Sequence, residues 1–181
     1  MKFRREHFPK AMAAVEKRTC AYLNDEIGLV VTVNKTLVGN IDLLELRKVT
    51  TIVGTGGPVN LLIAFGFDPG LLDCLCQIAT GNLEITADER ELFLRETAAE
   101  TVNFILGHAT ADLAETNNHV TLSPPVVLEG GRCIHRPKKA MFATIEMSTI
   151  HGILDIYFIG PSELFDQRLN ILSEEEQPCP R

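Results

Sequence analysis

The chain has 181 residues, of which 17 are basic and 24 acidic, giving a formal net charge of −7, and 45% of it is hydrophobic. That length and apolar fraction fit one domain with a sizeable core and exclude a wholly disordered chain. No apolar run reaches the ~20 residues of a membrane span, and the acidic balance argues against broad nucleic-acid binding.

In chain order, residues 6–24 read as a first helix, with Phe8, Met12, Val15 and Tyr22 on a loose apolar stripe and Pro9 in the first turn. Residues 28–38 are β-branched and read as a strand or extended segment. VTTIVGTGGPVNLLIAFGF reads as a hairpin turning over Gly54–Gly57, with Pro58 opening the second strand or lying on an edge. Asp68 is the expected N-cap and Pro69 the first residue of a short helix, PGLLDCLCQIATG, with Leu71, Leu72, Leu75 and Ile78 as its apolar face and Gly81-Asn82 as its end.

Residues 86–116 read as the longest helix, opened by Thr86 and Glu89 at capping-box spacing. Three β-rich stretches follow: HVTLSPPVVLEG, AMFATIEMST and HGILDIYFIG. GGRCIHRPKK, between the first two, is polar, basic and turn-rich. Residues 1–173 are expected to form a single domain, and 174–181 an acidic, disordered tail. The order α-β-β-β-α-α-β-β-β lacks regular βαβ alternation. It predicts an α+β fold, an antiparallel or mixed sheet with long helices packed on one face.

The opening MKFRREHFPK lacks the apolar stretch of a secretory signal. The five cysteines, Cys20, Cys74, Cys76, Cys133 and Cys179, are then expected to be reduced thiols of a cytoplasmic protein. No CxxC pair and no HxxxH pair suggests a metal site. A nucleophilic hydrolase would want a G-x-S-x-G elbow, which is missing. GTGGPV lacks the Lys and Ser/Thr of a phosphate loop, and Pro58 removes a backbone donor.

The chemistry lies on the long helix. At ~100° per residue, Leu94, Ala98, Val102, Ile105, Ala109 and Leu113 share one apolar arc, while Glu89, Glu96, Glu100, Asn103 and Gly107 fall opposite. Glu100 and Asn103, three apart, are neighbours on that face. An amide has both a donor and an acceptor and can hold a water in line with a phosphorus atom, a recurring part of phosphoryl transfer. The carboxylate can take a charge-assisted hydrogen bond from a partner's lysine, and Gly107, one turn on, lets another chain approach closely. The same residues also fit an ordinary solvated face, and Glu115 with Asn118 repeats the spacing at the helix end.

Three segments together resemble the CheX branch of the CheC/CheX/FliY family of phosphatases, which act on the phosphorylated response regulator CheY. The hairpin resembles the family's glycine-containing strand pair before a short helix. ETAAETVNFILG resembles its Glu-x-x-Asn helix motif with a glycine four residues past the Asn, and VTLSPPVVLEGG resembles its Ser/Thr-Pro-Pro strand. The order is the family's, across roughly residues 45–165.

The resemblance implies a chemotaxis or other two-component phosphatase whose Glu100 and Asn103 enter a receiver domain's active site. Asn103 would position the hydrolytic water and Glu100 would contact the receiver's lysine. Glu96 and Gly107 would face the partner, and Mg²⁺ would be supplied by the receiver. It also implies a homodimer, with no nucleic-acid or membrane partner. Glu96 departs from the Ser or Asp usual four residues before the motif Glu, and its carboxylate would repel an acidic partner. The alternatives are a non-catalytic CheX-like module that binds a receiver or signalling partner, and a dimerisation domain without a catalytic surface.

Overall fold

The computed structural model describes residues 7–39, 41–57, 59–81, 83, 85–113 and 119–161. Pro58, Asn82, Glu115, Asn118, the end of the long helix beyond 113 and the expected 174–181 tail lie outside them.

Helix α1 (His7–Ala21) runs into one π-helical turn, Tyr22–Glu26. Strands β1 (Thr32–Val38), β2 (Leu43–Leu46), β3 (Val49–Gly56) and β4 (Leu62–Phe67) follow, then α2 (Pro69–Thr80) and α3 (Ala87–Leu113). The chain continues through β5 (Thr121–Leu122), β6 (Val126–Glu129), β7 (Arg132–His135), β8 (Met141–Thr149) and β9 (Gly152–Gly160). The main sheet runs β1-β8-β9-β4-β3, with β5 and β6 both on the far side of β3. Every pairing is antiparallel, so the α+β expectation holds.

Strand alternation divides the core in two. Val53, Ile63, Phe65, Ile156 and Phe158 point to the helical side, where they meet Phe8 and Val15 of α1, Leu71 and Leu75 of α2, and Val102 and Ile105 of α3. Ile52, Ala64, Phe142, Tyr157 and Ile159 point the other way. The period of two along each strand produces this split.

That second face is covered by a feature the sequence reading missed. Strands β2 and β7 pair, Leu44 opposite Ile134, and lay Leu44, Leu46 and Ile134 on Phe142 and Tyr157. The GGRCIHRPKK segment is therefore partly a strand, and β2 was absent from the expected order. Cys133, in β7, is disulfide-bonded, a correction to the expectation of five reduced thiols; Cys20, Cys74 and Cys76 are free.

The β3–β4 turn also lies further on than expected. Gly54 stays in the ladder opposite Leu62, and Gly56 pairs with Thr121 of β5. A Cβ on Gly56 would stand 2.6 Å from Thr121 Oγ1, so this glycine admits a neighbouring strand. The chain then turns at Gly57, with φ +89°. Buried Thr55 closes the loop: its hydroxyl donates to the Val59 carbonyl at 2.8 Å and accepts from the Leu61 N–H at 3.0 Å. The Ser123-Pro124-Pro125 segment separates β5 from β6, since two prolines offer no N–H to β3. Ser123 itself holds on, accepting from the Gly54 N–H at 2.9 Å through Oγ and donating its own N–H to the Gly54 carbonyl at 2.8 Å.

Asp68 occupies the backbone position before α2, but its carboxylate makes no cap hydrogen bond. It is taken instead by the Arg47 guanidinium and by the Ile153 N–H at 2.8 Å. Arg47 Nε also donates to Asp155 Oδ2 at 2.6 Å. Burial pushes the Asp155 carboxyl up from its ordinary value despite the guanidinium beside it. Among the described residues no helix is long and apolar enough to cross a membrane.

Candidate functional site

Helix α3 is anchored at its start by the capping arrangement read from the sequence. The Thr86 N–H and hydroxyl both donate to Glu89 Oε2, at 3.3 and 2.7 Å, and these bonds lower the Glu89 carboxyl below its ordinary range. Farther along, Ala98, Val102, Ile105 and Ala109 are buried in the core as expected, with Leu94 and Leu113 half-buried. Thr97, Thr101 and Leu106 are buried too, so the inward face is wider than the predicted arc.

The opposite ridge is bare: Glu96, Glu100, Asn103 and Gly107 are all exposed. Residues three and four apart on a helix stand about 5–6 Å from one another, so this forms a continuous strip. Three clefts, of about 320, 200 and 180 Å³, border α3, and neither Glu100 nor Asn103 lines any of them. An exposed pair of this kind suits insertion into a pocket on another molecule.

A Cβ built on Gly107 would meet nothing within 4 Å. A glycine in a helix interior costs roughly 0.5–1 kcal/mol relative to alanine, and none of the described residues needs the space it leaves. Among the described residues, no group of three His, Cys, Asp or Glu side chains is placed to hold a metal ion.

The sequence reading missed an aromatic flank on the same ridge. Phe104, beside Asn103 and one turn past Glu100, is 42% exposed. Its ring lies 5.1 Å from that of Tyr22 and 4.4 Å from that of His108, centroid to centroid. His108 Nδ1 sits 2.9 Å from the Phe104 carbonyl oxygen, and the Tyr22 hydroxyl is 3.5 Å from Thr101 Oγ1. The available signal was that Phe104 falls outside the apolar arc, where a large aromatic has no core to fill. Further along, Arg18 of α1 clasps Asp112 through two hydrogen bonds, at 2.9 and 2.6 Å, and thereby lowers the Asp112 carboxyl.

Comparisons with known proteins identify the family and the fold. The family model for the chemotaxis phosphatase CheX matches residues 49–148, a span holding the hairpin, α3 and the Ser-Pro-Pro segment. Among solved structures, the chemotaxis protein CheX of Desulfovibrio desulfuricans is 19% identical, with a TM-score of 0.68, covering 82% of this chain and 97% of that one. CheX of Vibrio vulnificus is also 19% identical, with a TM-score of 0.67 and the same coverage. A CheX–CheY–BeF₃–Mg²⁺ complex from Borrelia burgdorferi gives 17% identity and a TM-score of 0.61, covering 86% and 99%. No curated protein matches the chain.

Proposed function

Since this chain belongs to the CheX family, we propose that it hydrolyses the phospho-aspartate of a CheY-like receiver domain, using Glu100 and Asn103. The observation that carries this reading is the exposure of both side chains, three residues apart, on the outward ridge of α3. The Borrelia relative, crystallised with CheY, BeF₃ and Mg²⁺, supports a receiver as the partner. The setting would be cytoplasmic, in chemotaxis or another two-component circuit.

The receiver would hold the Mg²⁺, which neutralises charge on the phosphoryl group. Asn103 binds a water through its carboxamide and aligns it with phosphorus. The water oxygen–phosphorus bond forms as the bond to the aspartyl oxygen breaks, releasing carboxylate, inorganic phosphate and a proton. Glu100 accepts a charge-assisted hydrogen bond from the receiver's lysine and fixes the docking register. An acyl phosphate is already reactive, so positioning one water needs to contribute only about 10²-fold, or ~2.7 kcal/mol of barrier.

The exposed Glu96 favours a second reading, a non-catalytic module that docks on a receiver. A second carboxylate on the ridge, beside Glu100, repels an acidic partner. Phosphate release from phosphorylated receivers encoded in the same genome separates the two. The phosphatase accelerates release and Asn103→Ala loses that acceleration while staying folded; binding without acceleration by the wild type overturns catalysis.

A homodimer belongs to the same proposal. Strand β1 ends the main sheet, and all seven of its residues are exposed. An unpaired edge of this kind is a template for strand pairing with a second copy.

A further inference from the structure

We infer that Phe104, braced by Tyr22 and His108, is the apolar anchor of the receiver-docking surface and carries much of the affinity that Glu100 and Asn103 do not. This rests on the receiver-phosphatase reading of the same ridge. A specific interface buries about 800 Å² per partner, a disc of roughly 16 Å radius. A receiver whose active site takes in Asn103 centres that disc on α3. Phe104 is the next residue, His108 one turn further, and Tyr22 packs on Phe104 at 5.1 Å. All three fall under the partner.

The side chains have the form of an anchor. Interface energy concentrates in a few well-packed aromatic residues, with polar neighbours adding little. The ridge N-terminal to Asn103 is acidic, through Glu96 and Glu100, and the exposed Leu92 lies eleven residues back along the helix, at the margin of that disc. Phe104 is the large apolar side chain beside it, 42% exposed. Its ring is already held between two others, so little rotamer freedom remains to be lost on binding. Next to it opens a cleft of about 180 Å³, with Tyr22, Asp25, Glu26 and His108 on its walls, which would receive a side chain from the partner.

The test uses the full chain and beryllofluoride-activated, Mg²⁺-loaded receivers from the same genome, with phosphate-release kinetics alongside binding. Phe104→Ala is expected to raise both Kd and KM about tenfold or more, while Asn103→Ala lowers kcat and leaves Kd near the wild-type value. Phe104 also packs against Tyr22, so Asp25→Trp, at an exposed position on the cleft wall, supplies a variant independent of that packing and should raise Kd as well. Wild-type Kd in both a folded Phe104→Ala and Asp25→Trp overturns the anchor while leaving the phosphatase reading intact. If the wild type neither binds nor dephosphorylates any receiver, the phosphatase reading falls and the anchor falls with it.

Discussion

Arg47 and Asp155, 108 residues apart in the chain, meet at 2.6 Å between β2 and β9, and the same guanidinium reaches Asp68 at the head of α2. One cation thus ties the end of β2, the main sheet and a helix start together. Removing one partner of a partly buried ion pair leaves the other less well compensated. Arg47→Met is expected to destabilise the chain by about 1–3 kcal/mol, read as a lower urea midpoint at unchanged slope. Asp155→Asn should cost less, because burial already opposes its charge.

Glu96 is exposed on the outward ridge of α3, where the proposed docking would set its carboxylate against an acidic receiver. Glu96→Ser should lower the KM for a phosphorylated receiver about threefold in low salt, with kcat little changed. The difference should fade towards 1 M salt, where the Debye length shrinks to about 3 Å. A KM ratio that ignores ionic strength would remove electrostatics as the explanation.

Gly107 should separate stability from activity. Gly107→Ala fills open space, and is expected to raise stability by about 0.5–1 kcal/mol while raising KM as the new methyl meets the partner. Thermal melts and receiver titrations on the same preparation would show both effects, and a stabilised variant with wild-type KM would mean that nothing approaches this turn.

Asp112 governs an acid limb. Its carboxyl lies below the ordinary 3.8 because Arg18 hydrogen-bonds it, so the unfolded chain binds the proton more readily. The stabilisation is complete above the ordinary value and is lost as pH falls through the lowered one. Melting temperatures of wild type and Asp112→Asn should differ near neutral pH and converge as the pH falls below the ordinary carboxylate range. The pair is partly exposed, so the gap should be small.

The edge of the sheet provides a fifth test. Sedimentation should give twice the mass of one chain, and Leu37→Lys with Val38→Lys, on β1, should return the single-chain mass. A wild-type monomer at high concentration would dispose of the dimer.

Much of this was legible in the residues, for physical reasons. Helix α3 writes its orientation in its periodicity: Ala98, Val102, Ile105 and Ala109 point inward, and Glu100 and Asn103 outward, without help from the rest of the chain. The β3–β4 pair was equally plain, because two apolar arms flank glycines. What escaped depends on distant partners. β2 is only four residues long, and Leu44 and Leu46 acquire meaning when they cover Phe142 and Tyr157, about a hundred positions away. Asp68 sits where a cap belongs, but Arg47 outcompetes the helix N–H groups for its carboxylate. Phe104 was passed over because a single exposed aromatic does not alter a helical period. Its significance comes from Tyr22, which a π-helical turn swings against it.

Because β2 and β7 roof one side of the sheet and the helices the other, the buried scaffold and the outward strip of α3 share almost no side chains. Substitutions that retune recognition can therefore accumulate on Glu96, Phe104 or Gly107 without eroding the framework beneath. Paralogues with quite different receivers could arise from this architecture by drift along a single helical stripe.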